Sequence, residues 1–135
     1  MTTDDMTTDT GTDLLALVAR GDRAGLAAAL ESGADPNAAD RWGVTALARA
    51  AAKGDLAMAD LLLAKGAEVD RASAAGNTAL MAAAAAGRVE MLERLLSAGA
   101  DHGHGNTWGV TAYDWAQWPP NGADVQALLE EGRAD

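Results

Sequence analysis

Residues 40–72, DRWGVTALARAAAKGDLAMADLLLAKGAEVDRA, decide the fold of this chain. The stretch begins with a turn in which Gly43 is free to adopt a positive φ angle. Thr45 stands where its hydroxyl can cap a helix, and the nearly all-alanine run Ala46–Lys53 is typical of that helix. Gly54 follows at the position where helices commonly end. The first half of the stretch therefore predicts a turn followed by a short helix.

The second half of the same stretch predicts another helix. Leu56, Ala59, Leu62 and Leu63 recur at helical spacing, which indicates an amphipathic helix over about residues 56–65. A second glycine ends this helix in the same way, and an extended return follows. One unit is therefore a turn, a helix, a loop, a helix and a return.

The unit recurs along the chain with a period of 33 residues. Three glycine registers, one threonine register and one leucine register keep this step: Gly33, Gly66, Gly99 and Gly132; Gly43, Gly76 and Gly109; Gly21, Gly54 and Gly87; Thr45, Thr78 and Thr111; Leu30, Leu63, Leu96 and Leu129. A repeat of this length indicates stacked supersecondary units.

The recurring strings resemble ankyrin repeats. They are GVTALARAA (43–51), GNTALMAAA (76–84) and GVTAYDWA (109–116), with GADPN (33–37), GAEVD (66–70) and GADHG (99–103). The resemblance covers residues 12–135 and implies an all-α, ankyrin-like solenoid of helix-turn-helix repeats with short β-turn fingers. The family's usual histidine position holds Ala48, Met81 and Asp114, so that histidine's bridging hydrogen bonds are missing. Asp114 follows Thr111 by three residues and is expected to form a capping box.

The 33-residue registers divide the chain into a tail and one domain. Residues 1–11 are rich in threonine and aspartate and are predicted to form a disordered acidic tail. Residues 12–135 form a single ankyrin-repeat domain, with an N-terminal cap (12–39), two full repeats (40–72 and 73–105) and a C-terminal cap repeat (106–135). In the last unit the run Trp118-Pro119-Pro120 is expected to stop the first helix early.

Composition and charge exclude several function classes. The 135 residues suit one domain, and alanine, at 34 residues, makes up about half of the apolar content. A formal charge of −10 disfavours nucleic acid and anionic membranes as partners and favours a basic protein surface. The absence of cysteine excludes disulfides, thiolate zinc sites and cysteine catalysis. Without a signal peptide or a membrane-spanning apolar run, we expect a cytoplasmic protein. Abundant alanine, with eight arginines to two lysines, suggests a bacterial source.

Catalytic and metal-binding patterns are weak. No spacing suggests a catalytic triad or a phosphate-binding loop, so we expect no enzyme activity, no catalytic residue and no cofactor. His102 and His104 are the metal-like feature, since in an extended segment both imidazoles lie on the same side. A firm site needs three or four protein ligands, and histidines in polar loops are usually solvated. We therefore predict no metal site.

The tryptophans are the most informative candidates for a binding surface. Trp42 and Trp108 occupy the same repeat position, which the resemblance places at finger tips on the concave side. Trp115 and Trp118 are three residues apart on the predicted last inner helix and lie near one face of it. Each pair also has a structural interpretation, as a cover for thin alanine-rich backbone or as a seal for the C-terminal end of the core.

The sequence thus predicts a non-enzymatic protein–protein interaction module, an adaptor, inhibitor or immunity-type binder, that uses the concave face of fingers and inner helices. The candidate partner-binding residues are Trp42, Trp108, Arg41, Val44, Arg49, Lys53, Asn77, Val110, Trp115 and Trp118. We expect a monomer that binds another protein. The alternatives are a self-associating structural protein, in which exposed tryptophans pair between copies, and a metal-responsive protein that uses His102 and His104.

Overall fold

The computed structural model describes residues 10–134, which form eight helices. They are α1 (Thr10–Arg20), α2 (Arg23–Glu31), α3 (Ala46–Lys53), α4 (Leu56–Ala64), α5 (Ala79–Ala85), α6 (Val89–Ser97), α7 (Ala112–Trp115) and α8 (Gly122–Ala134). Most of the predicted tail lies outside the described residues. Thr10 and Gly11, which the registers assign to the tail, are the first two residues of α1.

The eight helices alternate between two rows. Helices α1, α3, α5 and α7 form an inner row in which each packs on the next, and α2, α4, α6 and α8 form an outer row in the same way. Each inner helix also packs against the outer helix that follows it in the chain. This arrangement is the all-α solenoid of helix pairs that the sequence predicts.

Threonine caps begin the last three inner helices. The hydroxyl oxygens of Thr45 and Thr78 accept hydrogen bonds from backbone N–H groups three residues later, at 3.0 and 3.4 Å. Thr111 does the same toward Asp114, whose carboxylate accepts in return from the Thr111 N–H at 3.0 Å. The predicted capping box is therefore present. Each cap satisfies one of the N–H groups that the first turn of a helix leaves unpaired.

Glycine and proline end the helices. Gly54 follows α3 with a φ of 75°, the left-handed conformation that glycine adopts without steric cost. Helix α7 stops at Trp115, shortly before Pro119 and Pro120, as the sequence predicts. Helix α4 ends at Ala64, one residue earlier than expected. Helix α8 continues through Gly132, although the earlier glycines of its register follow their helices.

Alanine predominates in the core of the inner helices α3 and α5, beside Leu47 and Leu80, and larger side chains predominate in the outer row. In α3 and α5 the fully buried positions include Ala50, Ala51, Ala83 and Ala84, and each of these side chains is a single methyl group. Because the side chains at a helix contact set the distance between the axes, alanine lets neighbouring inner helices approach closely. The outer helices contribute large buried side chains: Leu26, Met58, Leu62, Met91, Leu92, Leu95, Val125 and Leu129.

A turn that we call a finger precedes each of the helices α3, α5 and α7, and the first finger is the one before α3. Backbone hydrogen bonds join the fingers of neighbouring repeats. The Ala74 N–H donates to the Trp42 carbonyl, and the Thr107 N–H donates to the Ala75 carbonyl, both at 2.9 Å. These two bonds repeat at the 33-residue step. They hold each finger in a fixed position relative to the next.

Polar side chains join the repeats at the opposite end of the inner helices. The Lys53 ammonium donates to the carbonyls of Val18 and Ala19 at 2.8 and 2.9 Å. One repeat later Arg88 Nε donates to the Ala52 carbonyl at 3.0 Å. In the last repeat an asparagine side chain makes the same kind of bond to a carbonyl after α5. These bonds connect neighbouring repeats without the family's usual histidine.

We expect substitution of a core leucine of the outer row by alanine to destabilise the protein strongly. Leu62 and Leu95 are fully buried. Leu62→Ala or Leu95→Ala should therefore each lower the free energy of unfolding by about 2–5 kcal/mol, measured by urea denaturation. Leu63→Ala is the control, because Leu63 is only partly buried and should cost less. A loss near zero at Leu62 and Leu95 would contradict the packing described here.

A pair of glycine variants tests the close approach of the fingers. Gly76 and Gly66 both have positive φ angles, 84° and 99°, so alanine should cost roughly 1–2 kcal/mol at either. A Cβ at position 76 would lie 3.0 Å from the Asn106 Cα, whereas at position 66 it would meet nothing within 4 Å. We expect Gly76→Ala to lower the melting temperature clearly more than Gly66→Ala. Equal losses would show that the fingers do not stack this closely.

Candidate functional site

The fingers and the inner row together line an open cleft over α3 and α5. Its volume is about 270 Å³. Its walls come from three successive repeats and are largely apolar: Val44, Ala48, Arg49, Ala52, Ser73, Asn77, Thr78, Met81, Ala82, Ala85 and Trp115. We call it the central cleft.

A second cleft adjoins the central one on the side of the last repeat. We call it the C-terminal cleft, and its volume is about 690 Å³. It is lined by Ala75, Asn77, Asn106, Trp108, Val110, Asp114, Trp115, Gln117 and Trp118. Since Asn77 and Trp115 border both clefts, the two form one continuous surface, which we call the groove.

The groove exists because the repeat 73–105 has small side chains at positions where the neighbouring repeats have large ones. Ala75 stands at the repeat position of Trp42 and Trp108, and Ala82 at that of Arg49 and Trp115. In the same way Ala85 stands one repeat before Trp118. The alanines form the floor, and tryptophan and arginine form the walls. Comparison of residues 33 positions apart reveals this pattern in the sequence.

The finger tryptophans project from turns that a polar side chain stabilises. Asp40 Oδ1 accepts a hydrogen bond from the Trp42 N–H, and Asn106 Oδ1 accepts one from the Trp108 N–H, both at 2.9 Å. Such local bonds are the usual reason why aspartate and asparagine occur in turns. The indoles remain 57% and 73% exposed, so neither covers the backbone in the way that the structural interpretation requires.

The two finger tryptophans differ in what lies beside them. The Arg41 guanidinium lies over the Trp42 ring, with its carbon 4.6 Å from the ring centroid. This is a cation–π contact within one finger. At the corresponding position before Trp108 the chain has Thr107.

Arg49 is fixed beside the central cleft by an ion pair with the first finger. Its Nη2 lies 2.6 Å from Asp40 Oδ2. Partial burial acts to raise the pKa of Asp40, but hydrogen bonds to its carboxylate act in the opposite direction and together have the larger effect. These bonds come from the Val44 N–H, the Arg49 guanidinium and the Trp42 N–H, and they hold the pKa of Asp40 below its ordinary 3.8. Asp40 is therefore ionised at neutral pH and orients both the finger and the arginine.

The two C-terminal tryptophans lie at different depths. We expected both on the last inner helix, but α7 ends at Trp115 and Trp118 follows it in a turn. Trp115 is half-buried against the core and forms the wall between the clefts, whereas Trp118 is 69% exposed. The Trp115 Nε1 is buried without a hydrogen-bond partner among the described residues. Trp115 thus seals the end of the core, and Trp118 does not.

Most of the candidate residues meet at the groove. Those that line it are Val44, Arg49, Asn77, Trp108, Val110, Trp115 and Trp118. Arg41 and Trp42 stand together on the adjacent first finger. Lys53 is the exception, since its ammonium is bound to the carbonyls at the end of α1. The sequence could not show this, because the acceptors belong to the preceding repeat.

The histidine loop is tied to the neighbouring finger. His104 Nε2 lies 3.0 Å from the Gly76 carbonyl oxygen, within hydrogen-bond distance. Within residues 14–130 no three histidine, aspartate or glutamate side chains come together in a way that could hold a metal ion. This contact joins the end of the repeat 73–105 to the finger at its beginning.

A model of ankyrin repeats matches residues 14–106 in three copies. The chain belongs to the ankyrin-repeat family. Ankyrin repeats generally mediate protein–protein interactions, and their domains are typically non-catalytic. Comparison with curated protein sequences gave no significant match. Within the described part of the chain, every helix is too short or too polar to cross a lipid bilayer.

The Asp40–Arg49 pair gives a pH-dependent prediction. Asp40→Asn keeps an acceptor for the finger N–H groups, as Asn106 does, and removes only the ionic partner of Arg49. At pH 7 we expect a loss of up to about 1 kcal/mol, typical of exposed ion pairs.

The sign follows from the lowered pKa. A carboxylate whose folded pKa is depressed stabilises the protein above its unfolded value and loses that effect as the pH falls. The difference between the intact protein and Asp40→Asn should therefore shrink below about pH 3.8, as urea denaturation at pH 7 and pH 3 would show. A difference that does not change with pH would contradict this.

Proposed function

We propose that this ankyrin-repeat chain is a non-enzymatic adaptor, inhibitor or immunity-type protein that binds a segment of another protein in the groove. The observation that carries the proposal is the exposure of Trp108 and Trp118 along the apolar C-terminal cleft, with Trp42 exposed on the first finger. Large aromatic side chains beside a desolvated pocket are typical of interface hot spots, and exposed apolar patches in soluble proteins usually mark binding sites.

The groove suits an extended segment that crosses the repeats. Its alanine floor leaves room for side chains of the partner, while Trp42 and Trp108 serve as apolar anchors at the fingers. Because the fingers are joined by backbone hydrogen bonds, little ordering entropy is lost on binding. The formal charge of −10 favours a partner with a basic surface and speeds its approach, and it disfavours nucleic acid and anionic membranes. We place this activity in the cytoplasm.

Self-association is the alternative that the same tryptophans support, since two copies could cover each other's indoles. Light scattering of the purified protein distinguishes the two. We expect a monomer mass at micromolar concentration. A dimer that Trp108→Ala dissociates would favour self-association instead.

Affinity capture with paired variants tests the groove. The baits are the intact protein, the double variant Trp42→Ala/Trp108→Ala, and Ala82→Trp, which fills the floor of the central cleft. A partner bound by the intact bait should be lost from both variants, because a hot-spot side chain contributes about 2 kcal/mol or more, a roughly 30-fold change in affinity.

The control adds the same indole elsewhere. Ala57 is exposed on the outer helix α4, so Ala57→Trp should capture the partner as well as the intact chain does. All baits must first show an unchanged circular dichroism melt. If the intact, double-variant and Ala82→Trp baits all capture the partner equally, the protein still binds a partner, but the groove is not the binding site.

A further inference from the structure

The C-terminal cleft combines aromatic faces with a single charge. Three of its nine lining residues are tryptophans, Trp108, Trp115 and Trp118, and Asp114 is the one acidic or basic residue among the nine. The face of an indole ring carries negative electrostatic potential and attracts cations, and a carboxylate adds to this attraction. The cleft is therefore suited to a cationic group.

Asp114 has an oxygen available for such a group. Its Oδ2 accepts from the Thr111 N–H and hydroxyl at 3.0 and 3.2 Å, which completes the capping box of α7. Within residues 14–130 no side chain or backbone group donates to Oδ1, and no lysine or arginine is paired with this carboxylate. The side chain is exposed, so a partner can reach it.

The first finger shows which cation an indole at this position accepts. There the Arg41 guanidinium lies over the Trp42 ring at 4.6 Å. The equivalent finger two repeats later has Trp108 with Thr107 before it, so the chain supplies no guanidinium from that position. The Trp108 ring is 73% exposed.

We infer that the C-terminal cleft binds an arginine side chain of the partner protein, which stacks on the indoles of Trp108 and Trp118 and pairs with Asp114. This assignment rests on the proposed function, because it names the chemistry of the segment that the groove accepts. Arginine fits better than lysine, since a planar guanidinium can stack on aromatic rings while one of its N–H groups donates to Oδ1 of Asp114. The cleft volume of about 690 Å³ exceeds what one guanidinium needs and leaves room for the flanking backbone.

Long-range electrostatics support the same occupant. The protein carries 20 acidic and 10 basic residues, so its overall field draws a basic segment toward the surface. The basic side chain that lines the groove, Arg49, belongs to the central cleft and is neutralised by Asp40. A guanidinium in the C-terminal cleft therefore meets a carboxylate and no lining cation.

The test uses Nα-acetyl-arginine amide as the probe, with the intact protein labelled with ¹⁵N. Signals of the four indole N–H groups are assigned with single Trp→Phe variants and followed by NMR during titration. We expect saturable shifts at Trp108 and Trp118 and none at Trp42. Nα-acetyl-citrulline amide has nearly the same shape without the charge, and it should bind roughly threefold to tenfold more weakly.

Two variants and one matched control locate the subsite. Asp114→Asn retains an oxygen for the Thr111 N–H, and Trp108→Ala removes an exposed ring, so both should fold and should weaken arginine binding by roughly threefold to tenfold. Glu93→Gln removes one exposed carboxylate from the outer helix α6, away from both clefts, and should leave the arginine affinity unchanged. Citrulline or lysine amide binding as tightly as arginine, or an unaltered affinity of Asp114→Asn, would overturn the assignment.

The result separates this inference from the proposed function. If the baits capture a partner through the groove but the arginine probe shifts no indole signal, the binding module stands and the arginine subsite is wrong. If the probe binds at Trp108 but capture does not depend on the groove, the subsite stands and the proposed use of the whole groove is wrong.

Discussion

The close packing of alanine against alanine in the inner row is the constraint on which the rest of the structure depends. Ala50 and Ala51 of α3 and Ala83 and Ala84 of α5 are fully buried. Because a methyl group holds helix axes at short distance, successive fingers come within reach of backbone hydrogen bonds. Larger side chains at these positions would move the repeats apart and break the contacts between fingers. Much of the rigidity of the groove is thus a consequence of core packing.

The same regularity turns differences in side-chain size into a groove. When equivalent positions of neighbouring repeats stack, an alanine between two large side chains leaves a depression that the fold does not fill. Ala75 has this role between Trp42 and Trp108, and Ala82 has it between Arg49 and Trp115. The scaffold therefore separates two tasks. Positions that face the core fix the repeat, and positions that face the groove are free to vary in size and charge.

Charge contributes little to the stability of this fold. Ion pairs link neighbouring repeats along the outer row, as between Arg94 and Asp60 and between Lys65 and Glu31, but their side chains are substantially exposed. Pairs of this kind stabilise proteins little, because water and salt screen them. The excess of acidic residues instead gives the protein a negative field, while Arg49 is neutralised by Asp40 and Asp114 remains available at the groove.

The sequence by itself determined the repeat, because the 33-residue spacing of glycine, threonine and leucine follows from local requirements. A cap such as Thr45 and a left-handed ending such as Gly54 each involve only a few neighbouring residues, so their positions predict helices directly. Tertiary structure decided which polar groups border the groove. Lys53 and Arg49 both belong to α3, yet one binds carbonyls of the preceding repeat and the other borders the central cleft. That difference depends on contacts across repeats, which a single pass along the chain does not reveal.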